Sequence, residues 1–106
     1  MTEAELIDAM AHLQQDVLRR WIDQGWVRPE MAGGIPQFDA SDVARVRLIC
    51  ELHYELRIEE TSLPAILSLL DQLYSVRRSM QALLSAIEAQ PEDVRRRIAD
   101  FVQPKP

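Results

Sequence analysis

The stretch Gln14-Gln15-Asp16-Val17-Leu18-Arg19-Arg20-Trp21-Ile22-Asp23-Gln24-Gly25-Trp26-Val27-Arg28-Pro29 decides the fold. Val17, Leu18, Trp21 and Ile22 recur at intervals of three and four, which puts them on one side of a helix from about Gln14 to Gln24. Gly25 supplies the left-handed residue that stops this helix, and Trp26 and Val27 follow as apolar plugs that can fold back onto the same core. So short a helix with so wide an apolar side requires neighbours.

The neighbours are legible on both sides. Upstream, Thr2-Glu3-Ala4-Glu5 spells a capping box, and Leu6, Ile7 and Met10 form the stripe of a short first helix. A break follows near Ala11-His12. Downstream, Arg28 to Gln37 contains two glycines and two prolines, which exclude a helix and suit a short hairpin. Phe38-Asp39-Ala40-Ser41-Asp42-Val43 then restarts the helical pattern, with Asp39 as cap, Asp42 at the third position and Phe38 placed to staple onto Val43. Val43, Val46, Ile49, Cys50, Leu52 and Leu56 predict the apolar face of a third helix ending near Arg57, and Ile58 to Ser62 a short corner.

A fourth helix begins near Ser62-Leu63-Pro64, since proline is tolerated only in a first turn. Leu63, Ile66, Leu70, Leu73, Arg77, Met80, Leu84 and Ile87 alternate by three and four, a heptad seam with one polar member. Leu67, Leu69, Tyr74, Val76 and Leu83 broaden the stripe, so its first half can pack on the domain and its second half on another chain. Leu70, Leu73, Arg77, Met80, Leu84 and Ile87 are the candidate dimerisation residues, with Arg77 either setting register or snorkelling from the end of the packed region. Pro91-Glu92-Asp93-Val94 opens a last short helix carrying Ile98, Phe101 and Val102, and Gln103 to Pro106 reads as a frayed tail. The expected organisation is an all-α domain over 1–60, a dimerisation helix over 61–90, and a short helix with tail over 91–106.

Composition limits the function. The chain has 106 residues, 47% of them hydrophobic and 27% charged, the balance of one soluble globular domain. Its net charge of −5 repels phosphate backbones and disfavours nonspecific nucleic-acid binding. One cysteine, Cys50, forms no internal disulfide, and the acidic opening residues do not resemble a signal peptide. No apolar run reaches the roughly 20 residues of a membrane span, so a soluble cytoplasmic protein is expected.

Catalytic and metal-binding constellations are missing. His12 and His53 have no ligand spacing to each other or to Cys50, Gly33-Gly34 lacks the rest of a phosphate loop, and no nucleophile stands with a base. An enzyme is not expected, nor a metal or cofactor. Glu51, Glu55 and Glu59, four residues apart, would line one strip of the third helix, either as a solvated face or as an acidic surface for a basic partner helix. Arg19-Arg20 could contact phosphate, or stand as solvated arginines among Asp16 and Asp23. Arg95-Arg96-Arg97 reads more simply as a solvated helix face than as a nucleic-acid patch.

Two short helices, a hairpin loop, a third helix and a long leucine-rich helix resemble the MerR-type winged helix-turn-helix fold. Leu18-Arg19-Arg20-Trp21-Ile22, then Gly25-Trp26-Val27 and Pro29, is similar to its recognition-helix segment, and Phe38 to Val43 to the segment that closes its wing. The chain departs from the pattern at two places. The glycine usual between the first two helices is replaced around His12, and Ile35-Pro36-Gln37-Phe38 stands where DNA-binding members carry arginines between two aromatics. Residues 1–40 hold three basic and seven acidic side chains, so the face that would meet DNA is acidic.

A narrower resemblance is to the CbpM-type chaperone modulators. It runs through Gly25 to Pro29, Val46-Arg47-Leu48, Leu52-His53-Tyr54-Glu55-Leu56 and Leu67 to Tyr74, over about Glu5 to Ile87. It implies a noncatalytic homodimer that binds the J-domain of a DnaJ/CbpA-type co-chaperone and blocks its engagement of DnaK. The candidate partner-binding residues are Glu51, Glu55, Glu59 and Glu60, then Asp16 and Asp23. The alternatives are a dimeric transcriptional regulator contacting DNA through Arg19, Arg20 and Arg28, and a scaffold whose coiled coil is its whole function.

Overall fold

The computed structural model describes residues 1–103; the tail expected over Pro104 to Pro106 lies outside them. The chain divides into two compact units, Met1–Ser68 and Leu69–Pro106. The division falls inside the long helix rather than at residue 60, because that helix gives its first turns to the core of the first unit.

The first unit opens with α1 (Glu3–Ala9), whose capping box is complete: Thr2 accepts from the Glu5 backbone, and the Glu5 side chain accepts from that of Thr2. After the break at Met10–Gln14, α2 (Gln15–Asp23) buries Leu18 and Trp21, with Val17 and Ile22 at its half-buried flanks. Gly25, at φ +79°, ends the helix as a left-handed residue at little steric cost. Strands β1 (Glu30–Ala32) and β2 (Ile35–Gln37) pair antiparallel, Met31 opposite Pro36 and Ala32 opposite Ile35. Their two-residue turn has Gly33 at φ +60° and Gly34 at φ +82°, the twist that matches paired strands. Phe38 is bound to Met1 in both directions, its N–H donating to Met1 O at 2.9 Å and its carbonyl accepting from the terminal ammonium at 3.0 Å.

Helix α3 (Ala40–Cys50) starts on a second complete capping box, Asp39 with Asp42. Its end differs from expectation. Glu51–Glu55 form a π-helical turn, closed by Leu56 N–H on Glu51 O at 2.9 Å. A five-residue hydrogen bond advances the chain by a smaller angle per residue than an α-helix does, so the apolar stripe drifts off the core. Leu56, expected on that stripe, is instead 67% exposed. Arg57 then takes φ +58° and reverses the chain, and Ile58 N–H reaches back to Leu52 O.

Helix α4 (Leu63–Glu88) carries Pro64 in its first turn. Leu63 and Leu67 join Leu6, Leu18, Trp21, Val27, Phe38, Val46 and Ile49 among the buried side chains of the first unit. Each such residue contributes about 1.5–3 kcal/mol by leaving water. In the second unit, α5 (Glu92–Val102) begins at Pro91, with Ile87, Val94 and Ile98 half-buried. Leu69, Leu73, Tyr74, Val76, Met80, Leu83 and Leu84 of α4 are exposed, and so are Phe101 and Val102. The protein is thus mostly helical, with one small hairpin, and among the described residues no helix is long and apolar enough to cross a membrane.

Candidate functional site

The exposed side of α2 carries both of its arginines, and each is held by a carboxylate. Arg19 Nε donates to Glu3 Oε1 at 3.2 Å. Arg20 forks onto Glu60, with Nε 3.1 Å from Oε1 and Nη2 2.9 Å from Oε2. Glu60 Oε1 also accepts from the indole N–H of Trp21 at 2.8 Å, which anchors the carboxylate from the core side. Burial pushes the Glu60 carboxyl up, but the hydrogen bonds from Trp21 and Arg20 and the arginine charge outweigh it and hold it below the ordinary glutamate value. Asp16 and Asp23, the expected company of these arginines, are exposed and form no ion pair with them. Arg28 Nε turns back onto Gly25 O at 3.2 Å.

Behind α2 lies an aromatic cluster. Trp21, fully buried, stands 6.5 Å from Trp26, 6.4 Å from Tyr54 and 6.3 Å edge-on from His53. His53 Nδ1 is 2.8 Å from Ile58 O, and since a carbonyl only accepts, that nitrogen bears the proton. The π-turn is therefore tied through His53 to the corner that delivers Glu60.

The four candidate glutamates do not form one strip. Glu51 and Glu55 lie on the π-turn, whereas Glu59 and Glu60 lie beyond the left-handed Arg57, outside any helix. Spacing of four places side chains together only while the α-helix continues, and here it ends at Cys50. Glu60 is spent on Arg20 and Trp21, and Glu59 is exposed. Glu51 and Glu55 stay together, on the wall of a pocket of about 220 Å3 between the end of α1 and the π-turn, where Met10, His12, Arg47, Cys50 and Tyr54 also line it. His12 and Tyr54, whose part the acidic-strip reading missed, bring their rings to 5.8 Å. His12 lies in the expected break after the first helix and Tyr54 inside the expected third helix, so no local spacing links them.

Burial pushes the Cys50 thiol up to about 11, opposed by Arg47 and aided by Glu51, so it is a neutral wall group. Though His12, Cys50, Glu51 and Glu55 all border the pocket, no three such donors converge as a metal ion requires, among the described residues. Of the candidate dimerisation residues, Leu73, Arg77, Met80 and Leu84 are exposed on α4, with Leu70 and Ile87 half-buried.

Neither the curated proteins nor the solved structures compared with this chain include a match. The family model described as MerR HTH family regulatory protein matches residues 3–84, which takes in the first unit and most of α4. The helical order, the hairpin after α2 and the capped α3 all lie inside the matched span, and the chain belongs to the MerR helix-turn-helix family of regulatory proteins.

Proposed function

We propose that this chain is a noncatalytic modulator that binds the J-domain of a DnaJ/CbpA-type co-chaperone and blocks its engagement of DnaK. On this reading the first unit is a winged helix-turn-helix scaffold, with the Glu30–Gln37 hairpin as wing, converted from reading DNA to recruiting a basic protein surface. The resemblance to CbpM-type modulators supplies the partner.

The observation that carries it is the neutralised α2. A phosphate approaching Arg20 meets Glu60, which the Trp21 indole holds in place, and one approaching Arg19 meets Glu3. Residues 1–68 carry twelve carboxylates and six arginines, an excess that repels DNA and attracts the basic helix a J-domain offers its Hsp70. The exposed seam Leu73, Met80 and Leu84 supports a homodimer through α4.

The experiment is co-elution of the purified chain with a DnaJ/CbpA-type J-domain, together with the J-stimulated ATPase of DnaK. Stoichiometric co-elution and loss of stimulation, both weakening with salt, are the expected result. The family membership and the exposed Arg28 favour a second reading, a DNA-binding regulator. Tight, sequence-selective binding to duplex from its own upstream region, without J-domain co-elution, would establish that reading instead. If neither partner binds, the coiled-coil scaffold is left.

A further inference from the structure

The geometry points to the pocket between the end of α1 and the π-turn as a receptor for one cationic side chain, an arginine presented by a protein partner, with Glu51 and Glu55 as its counter-charges and Tyr54 as its stacking wall. The inference rests on the proposed protein-binding function and names where the partner is gripped.

Size selects the class of occupant. About 220 Å3 is below the roughly 300–1,000 Å3 of pockets that enclose small-molecule ligands, and it suits a single anchoring side chain. The chemistry of the walls selects within that class. Met10 is buried and Cys50 is half-buried with a neutral thiol, so this side accepts the apolar stem of a long side chain. Tyr54 and His12 give an aromatic wall on which a planar guanidinium can stack. Among the described residues Glu51 and Glu55 form no ion pair, in contrast to Glu3 and Glu60 of the same unit, which already hold Arg19 and Arg20. Arg47 also borders the pocket, with no ion-pair partner among the described residues, leaving one net negative charge there if His12 is neutral. An incoming arginine competes with Arg47 for the two carboxylates, so removing Arg47 should improve binding.

The test uses the full chain and two probes, N-acetyl-arginine methylamide and its citrulline counterpart, which is neutral and of nearly the same shape. The signals followed are the His12 and Tyr54 ring protons and the Met10 methyl. Saturable shifts with the arginine probe and none with citrulline are expected. Glu51→Gln combined with Glu55→Gln should weaken binding about tenfold, through loss of two exposed charge pairs. Arg47→Ala should tighten it. Equal shifts with citrulline, absence of saturation, or indifference to the double glutamine variant would overturn the assignment. The J-domain separates the two proposals. J-domain binding that the double variant leaves intact removes the pocket and keeps the function, whereas saturable arginine binding without J-domain binding removes the function and keeps the pocket.

Discussion

Glu60 lies forty residues from Arg20 in the chain, yet its carboxylate takes the guanidinium in a fork at 2.9–3.1 Å while accepting the Trp21 indole N–H at 2.8 Å. One side chain thereby fixes the corner before α4, satisfies the polar atom of the largest core residue, and occupies an arginine of α2. The functional proposal and the stability of the first unit meet at this carboxylate.

Replacing it should separate its roles. Glu60→Ala leaves the indole N–H without an acceptor and should cost about 1–3 kcal/mol. Glu60→Gln keeps an acceptor but gives up the ion pair, which is partly exposed and worth about 1 kcal/mol or less. Denaturant unfolding should therefore rank wild type above Glu60→Gln above Glu60→Ala; equal losses for the two variants would show that the indole bond contributes nothing.

Acid should reveal the same group. Glu60 titrates below its ordinary value of 4.5, and Asp39 below 3.8, the latter chiefly because the Asp42 N–H and then the Ser41 hydroxyl donate to it. A folded-state value below the unfolded one adds stability that is full above the unfolded value and is lost as pH falls through the folded one. The gap between wild type and Glu60→Gln should thus stay constant above pH 4.5 and narrow below it. A gap that widens on acidification would reverse the sign argued here.

Asp39→Ala removes the side-chain acceptor that starts α3. The expected loss is about 0.5–2 kcal/mol, the usual range for such a cap. Asp39→Asn or Asp39→Ser should recover most of it, and thermal melts of the three variants suffice to compare them.

Charging the seam tests the proposed dimer. Leu73→Glu with Leu84→Glu should leave the first unit folded, since both residues are exposed on α4. Each leucine buried in an interface contributes about 1.5–3 kcal/mol, so the pair should weaken association more than about 100-fold. Sedimentation of wild type and variant at matched concentration measures this, and identical behaviour of the two would remove this face from the interface.

Local grammar was readable in the sequence wherever a few adjacent residues decide the outcome. Both capping boxes, the left-handed Gly25, the glycine turn, and the helix starts at Pro64 and Pro91 stand where reading predicts them. What escaped was register beyond Cys50. A π-turn differs from an α-turn by one residue in its hydrogen bond, and no residue type announces it. That change put Leu56 into solvent and broke the expected acidic strip, leaving Glu51 and Glu55 at the pocket and Glu59 on the corner beside Glu60. The charge of Glu60 marks it as a candidate, but its inward orientation depends on residues forty positions away, which spacing does not encode.

The raised thiol of Cys50 has a practical corollary. Maleimides and disulfide reagents attack the thiolate, a negligible fraction of a group titrating near 11. A second cysteine engineered on an open surface would be derivatised in its presence with high selectivity. Fluorophores for distance measurements on the protein can then be attached without first mutating the native residue away.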